Sequence, residues 1–119
     1  MLEDSAIRES LAGHAERNAS LVEDLKRKGL QLDATRSIEH HFWADDQKSA
    51  ALLGRKLYDL GYVILVMSPI ENDDGSKLWN VEASFDRSLK DAASERVTEE
   101  LVRLAAQFDA TYDGWGASI

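Results

Sequence analysis

The sequence contains no cysteine, which removes disulfides, thiolate nucleophiles and Cys-ligated zinc or iron–sulfur centres from consideration. One proline and seven glycines in 119 residues are too few for a collagenous or low-complexity chain. The longest nearly apolar run, Tyr62 to Met67, is a strand's length and far short of the roughly 20 residues a membrane-spanning helix needs. The opening stretch MLEDSAIRES mixes charges of both signs, unlike a signal peptide, so a cytoplasmic location is expected. Basic residues are also scarce, with 14 Lys and Arg against 22 Asp and Glu and a formal net charge of −8. Direct nucleic-acid binding needs a basic footprint that displaces phosphate counterions, so an acidic chain of this kind suits a basic protein partner better. There is no GxSxG elbow, no phosphate-cradling glycine loop and no metalloprotease helix motif.

What remains is the balance of a single globular domain, 44% hydrophobic and 30% charged. Ile7, Leu11, Ala15, Val22 and Leu25 recur on one face of a helix over Ser5 to Lys28, which Gly29 stops and residues 30–35 follow as a linker. Ser37 to Ala44 alternates and is rich in aromatics, hence a strand. Its parity sends Ile38, His40 and Phe42 inward and Glu39, His41 and Trp43 outward. Asp45 or Asp46 caps a helix with Ala50, Leu53, Leu57 and Leu60 as its buried stripe. Tyr62 to Ser68 reads as a second strand covered on both faces and closed by Pro69. Asn72 to Gly75 is a turn, and Leu78 to Phe85 a third strand with Trp79, Val81, Ala83 and Phe85 inward. Ser88 caps one further helix carrying Ala93, Val97, Leu101, Leu104 and Phe108, and a short strand from Ala110 to Asp113 runs into Gly114-Trp115-Gly116. The order after the leading helix is βαββαβ, which predicts an α+β ferredoxin-like fold: an antiparallel sheet with two helices on one face and the fourth strand beside the first. The expected division is an N-terminal helix and linker over 1–35 and the ferredoxin-like domain over 36–119.

Few residues invite a chemical reading. His40, His41, Asp45 and Asp46 are metal-ligand types, but adjacent strand residues point to opposite faces and the aspartates serve as caps, so no metal is expected. His40 reads as a core histidine with the Tyr112 hydroxyl as its partner rather than as half of a catalytic pair. Asp73 and Asp74 lack further ligands at calcium-loop spacing and read as a solvated hairpin. RNA-recognition modules share the strand order, yet here Glu39, Glu82 and Asp113 would make the outer sheet face acidic and repel phosphate. The leading helix packed across that face is the plainer account, and it would explain the apolar second strand. Around Trp115, Gly114 and Gly116 allow either a buried cap on the core or an exposed anchor.

Three stretches, Ser37–Asp46 (SIEHHFWADD), Leu104–Asp109 (LAAQFD) and Tyr112–Gly116 (YDGWG), resemble the bacterial family of ribonuclease E activity regulators of the B type (RraB). Leu21–Leu32 (LVEDLKRKGLQL) is similar to the family's leading helix-and-glycine segment, so the resemblance spans most of the chain. It implies a ferredoxin-like domain with no catalysis and no cofactor, which binds ribonuclease E outside its catalytic part and lowers its activity. Some members carry a long acidic tail after the tryptophan motif, whereas residues 117–119 hold no acid. The expected contact surface comprises Glu39, His41, Trp43, Asp113 and Trp115, with Glu71, Asp73 and Asp74 in support. His40, Asp45, Asp46, Tyr112, Gly114 and Gly116 are assigned structural parts. The expected partner is ribonuclease E or another RNA-decay component, not nucleic acid or membrane. The alternative is a self-associating, homodimeric module.

Overall fold

A computed structural model describes residues 4–117; the first three residues of MLEDSAIRES and the last two of the expected 36–119 domain lie outside the described residues. The elements are α1 (Asp4–Arg27), β1 (Thr35–Ala44), α2 (Gln47–Asp59), β2 (Val63–Glu71), β3 (Lys77–Ser88), α3 (Leu89–Ala92), α4 (Glu95–Ala106) and β4 (Ala110–Ala117). The four strands form one antiparallel sheet in the order β2-β3-β1-β4. This is the expected split βαβ arrangement, with β4 beside β1.

The alternation in β1 is realised: Ile38, His40, Phe42 and Ala44 are fully buried against the helices, while Glu39, His41 and Trp43 are half-buried on the other face. From β3, Val81 and Ala83 join them with no exposure, and α2 adds Ala50, Leu53 and Leu57. Asp46, rather than Asp45, caps α2; its carboxylate accepts from the Ser49 N–H at 2.8 Å. Leu60 falls outside the stripe expected for it, 46% exposed just beyond the helix end.

Four further expectations are corrected. The leading helix does not cross the outer sheet face. α1 lies on the helix side beside α4, where Ile7 and Leu11 pack with Val97, Leu101 and Phe42. Its inward stripe runs Ile7, Leu11, His14, Asn18, Leu21 and Leu25, a sustained i, i+4, i+7 spacing, and Ala15 is left exposed. The helix after Ser88 is two helices, not one. Ser88 caps α3 and Ser94 caps α4, the latter accepting from the Val97 N–H at 3.2 Å, and Ser94 holds extended backbone where a continuous helix would need αR.

β2 is an edge strand covered on one face only, and Pro69 does not close it. Pro69 pairs with Trp79 inside the ladder, a place an edge strand tolerates because one side asks for no N–H. A bulge at Leu65 switches the side-chain parity, so Ile64 and Met67 both take inward positions although they are three residues apart. That switch is why the strand looks apolar at both parities. Finally, β4 does not end at Asp113. It continues through the glycines to Ala117, with a bulge where the register passes from Phe42↔Tyr112 to His41↔Gly114. Gly114 there adopts φ 125°, a region closed to residues with a Cβ.

Candidate functional site

Tyr112 and His40 form the centre of a polar seam inside the core. The Tyr112 hydroxyl lies 2.9 Å from His40 Nδ1, and the His40 Nε2 is buried without a partner. Burial, followed by the nearby Arg87 and His41, pushes the His40 imidazole down to about 3, so it is neutral at physiological pH. Burial correspondingly raises the Tyr112 hydroxyl. On the far side of Tyr112, His14 stacks on the ring at 5.0 Å, and its Nε2 lies 3.0 Å from the Tyr112 carbonyl. Arg17, which can only donate, sits 3.1 Å from His14 Nδ1, so that nitrogen accepts and Nε2 carries the proton. Desolvation first and Arg17 second lower the His14 imidazole.

The second buried polar group on α1 addresses the tryptophan motif. Asn18 Oδ1 accepts from the Trp115 indole at 2.8 Å, and its amide donates to Thr98 Oγ1 at 3.2 Å. Trp115 is only 8% exposed and packs with Leu25, Ile38, Leu89 and Ala92. Trp115 is thus buried on the helix side of the sheet, the side opposite Trp43. His14 and Asn18 were missed because a polar residue interrupts an apolar stripe. Their spacing, continuous with Ile7, Leu11, Leu21 and Leu25, was the available signal.

The opposite sheet face carries no helix among the described residues. Glu39, His41 and Trp43 line it along β1, opposite Ser84, Glu82 and Asn80 of β3 in register. His41 Nδ1 and Glu82 Oε1 are 2.7 Å apart, and the Asn80 amide reaches the other carboxylate oxygen at 3.5 Å. On the β4 side, Gly114 and Gly116 stand opposite His41 and Glu39; a Cβ at Gly116 would come within 4.0 Å of His41 Nε2. The imidazole thus lies beside bare backbone. Asp113 is exposed at the β4 bulge, and its charge reaches His14 on the helix side, so it marks the rim rather than the middle of this face.

Glu71, Asp73 and Asp74 are exposed in the β2–β3 hairpin, beyond the Trp43–Asn80 end of the ladder. Asp74 accepts from the Ser76 hydroxyl at 2.6 Å and its N–H at 2.9 Å, which lowers its carboxyl. Asp45 is exposed beside the α2 cap. Across β3, the face continues into an apolar margin that the sequence reading missed: Val63, Leu65 and Ile70 are 60%, 48% and 41% exposed. The strand order expected from βαββαβ puts this strand at an edge, and that was the overlooked signal.

His40 and His41 leave the sheet on opposite sides, and among the described residues no three His, Asp or Glu side chains gather in a way that would hold a metal ion. No helix among the described residues is long and apolar enough to cross a membrane.

Comparison with known proteins gives a consistent result. The family model described as "Regulator of ribonuclease activity B" matches residues 15–117. A relative of that name from Escherichia coli (strain K12) is 31% identical over 108 residues, covering 91% of this chain and 78% of the relative. Another from Psychromonas ingrahamii is 30% identical over 111 residues, covering 93% and 92%. A third from Photobacterium profundum is 32% identical over 101 residues, covering 82% and 72%.

Proposed function

The chain belongs to the family of regulators of ribonuclease activity B, and from that premise we propose that it regulates a bacterial ribonuclease by binding it, without chemistry of its own. Ribonuclease E is the concrete candidate, and the cytoplasm the place of action. The observation that carries this reading is the sheet face, bare of helices among the described residues, on which Trp43 stands in line with Glu39 and the His41–Glu82 pair. Carboxylates steer a basic segment into place, and a half-buried tryptophan anchors it once water is expelled. The hairpin acids Glu71, Asp73 and Asp74 lie beyond the Trp43 end and extend the negative field. Asp113 does so from the β4 rim.

A binding titration against ribonuclease E from the same organism tests this, with Trp43→Ala and Glu39→Gln as variants. Loss of the anchor should weaken binding by roughly 30-fold, the effect of a hot-spot residue worth about 2 kcal/mol. The Glu39 variant should slow association and flatten the salt dependence. Binding that is indifferent to both substitutions and to salt would refute the assignment. Self-association is the second reading, favoured by the exposed Val63, Leu65 and Ile70 beside the same face. A concentration-independent monomer in sedimentation would dismiss it.

A further inference from the structure

Two arginines on the helix side of the sheet carry a charge that no carboxylate among the described residues answers. Arg36 of β1 and Arg87 of β3 are directly paired in antiparallel register, so their side chains leave the same face as Ile38 and His40. They are the two arginines of the chain that are half-buried; the other six are exposed. Like charges directly opposite across two strands destabilise a sheet, and partial burial strengthens the repulsion. Yet among the described residues no carboxylate lies within 4.0 Å of either guanidinium. Exposed Arg27, Arg55, Arg96 and Arg103, by contrast, each meet an Asp or Glu. The Nε atoms of both Arg36 and Arg87 are shut off from solvent and meet no acceptor.

The surroundings hold Arg87 in place without supplying a counter-charge. Arg87 lies over the Phe85 ring at 4.6 Å and donates from Nη2 to the Tyr62 hydroxyl at 2.8 Å. Tyr62 accepts that bond, which leaves its own hydroxyl proton free to donate. Glu100, whose charge reaches Tyr62, is turned toward Arg96 at 3.8 Å. The result is two forked cations and a phenol with donors to spare, in a protein whose net charge is −8.

We propose that Arg36, Arg87 and the Tyr62 hydroxyl form a binding site for a phosphate group, taken as inorganic phosphate or as a phosphate monoester. A dianion matches two guanidiniums in charge, and its tetrahedral oxygens accept from two forks and a hydroxyl together. This site lies on the other side of the sheet from the proposed protein-binding face and does not depend on it.

Thermal melts and ¹⁵N-edited spectra of the arginine Nε–H groups test the site, with inorganic phosphate, adenosine 5′-monophosphate and sodium chloride matched in ionic strength. Phosphate should raise Tm saturably beyond chloride and move the Arg36 and Arg87 signals while those of Arg55 and Arg103 stay. Arg36→Gln should lose affinity by roughly tenfold or more, as expected for one charge-assisted fork. Arg36→Lys, which keeps the charge without the fork, should fall between. Tighter binding of the nucleotide than of phosphate identifies a monoester as the ligand, and equal binding identifies the free ion. A Tm rise that chloride reproduces, or Arg36 and Arg87 signals unmoved by phosphate in the unaltered protein, overturns the proposal.

Discussion

Removing the proton-binding capacity of His40 should change how the protein responds to acid, and the size of the change follows from its burial. The imidazole has no exposure and is held down at about 3, against 6.5 in an unfolded chain. A folded value below the unfolded one means that unfolding takes up a proton between those limits. The stability contributed by the neutral ring is therefore complete above about pH 6.5 and is lost as pH falls toward 3. Integrated from pH 7 to 4.5, His40 alone should cost the fold about 2.5 kcal/mol. Carboxylates and His14 add their own pH dependence, so the informative quantity is a difference between two proteins.

The best reference is the double variant His40→Leu/Tyr112→Phe. Replacing both hydrogen-bond partners leaves no stranded hydroxyl, whereas the single change would strand one at a cost of about 1–3 kcal/mol. Urea unfolding of both proteins at pH 7 and pH 4.5 supplies the comparison. The variant should lose about 2.5 kcal/mol less than the parent over that interval. Parallel losses would refute the reasoning and mean that His40 titrates near its ordinary value despite its position.

Two other substitutions address the tryptophan motif. Trp115→Ala should destabilise by about 3–5 kcal/mol, from lost packing plus the stranded Asn18 carbonyl oxygen, as read by chemical denaturation. If instead stability is kept and only partner binding falls, the indole is a contact and not core. Gly114→Ala should cost about 1–3 kcal/mol, because a Cβ is forced into φ 125° although nothing crowds the position. An unchanged denaturation midpoint would show that the β4 bulge relaxes to a conformation open to any residue.

The sequence is most legible where local pattern and tertiary demand agree. In β1 the alternation of SIEHHFWA assigns every side chain to its face, and the His40–Tyr112 contact follows from pairing β1 with β4. Asp46 as a cap is equally local. Legibility fails where one residue shifts the frame. The bulge at Leu65 turns a one-sided strand into an apparently two-sided one, and the bulge before Gly114 hides the second half of β4. Ser94 cuts a helix whose apolar spacing continues across the cut. In α1 the packing face is named by polar residues: His14 and Asn18 are buried because Tyr112 and Trp115 offer partners from another part of the chain, which no periodicity can display. The candidate site shows the same division. Glu39, His41 and Trp43 were placed by parity, whereas the fate of Trp115 depended on Asn18, 97 residues away.

The outer margin of β2 is a row of unspent backbone groups flanked by greasy side chains, the usual starting point for fibril growth. Pro69 interrupts that row by withholding an N–H, and the Leu65 bulge breaks its regular spacing a few residues earlier. An incoming strand could zip up only briefly before its donors and acceptors fell out of step. The same two irregularities that disguise this strand in the sequence thus shorten the stretch along which a second strand could add to it.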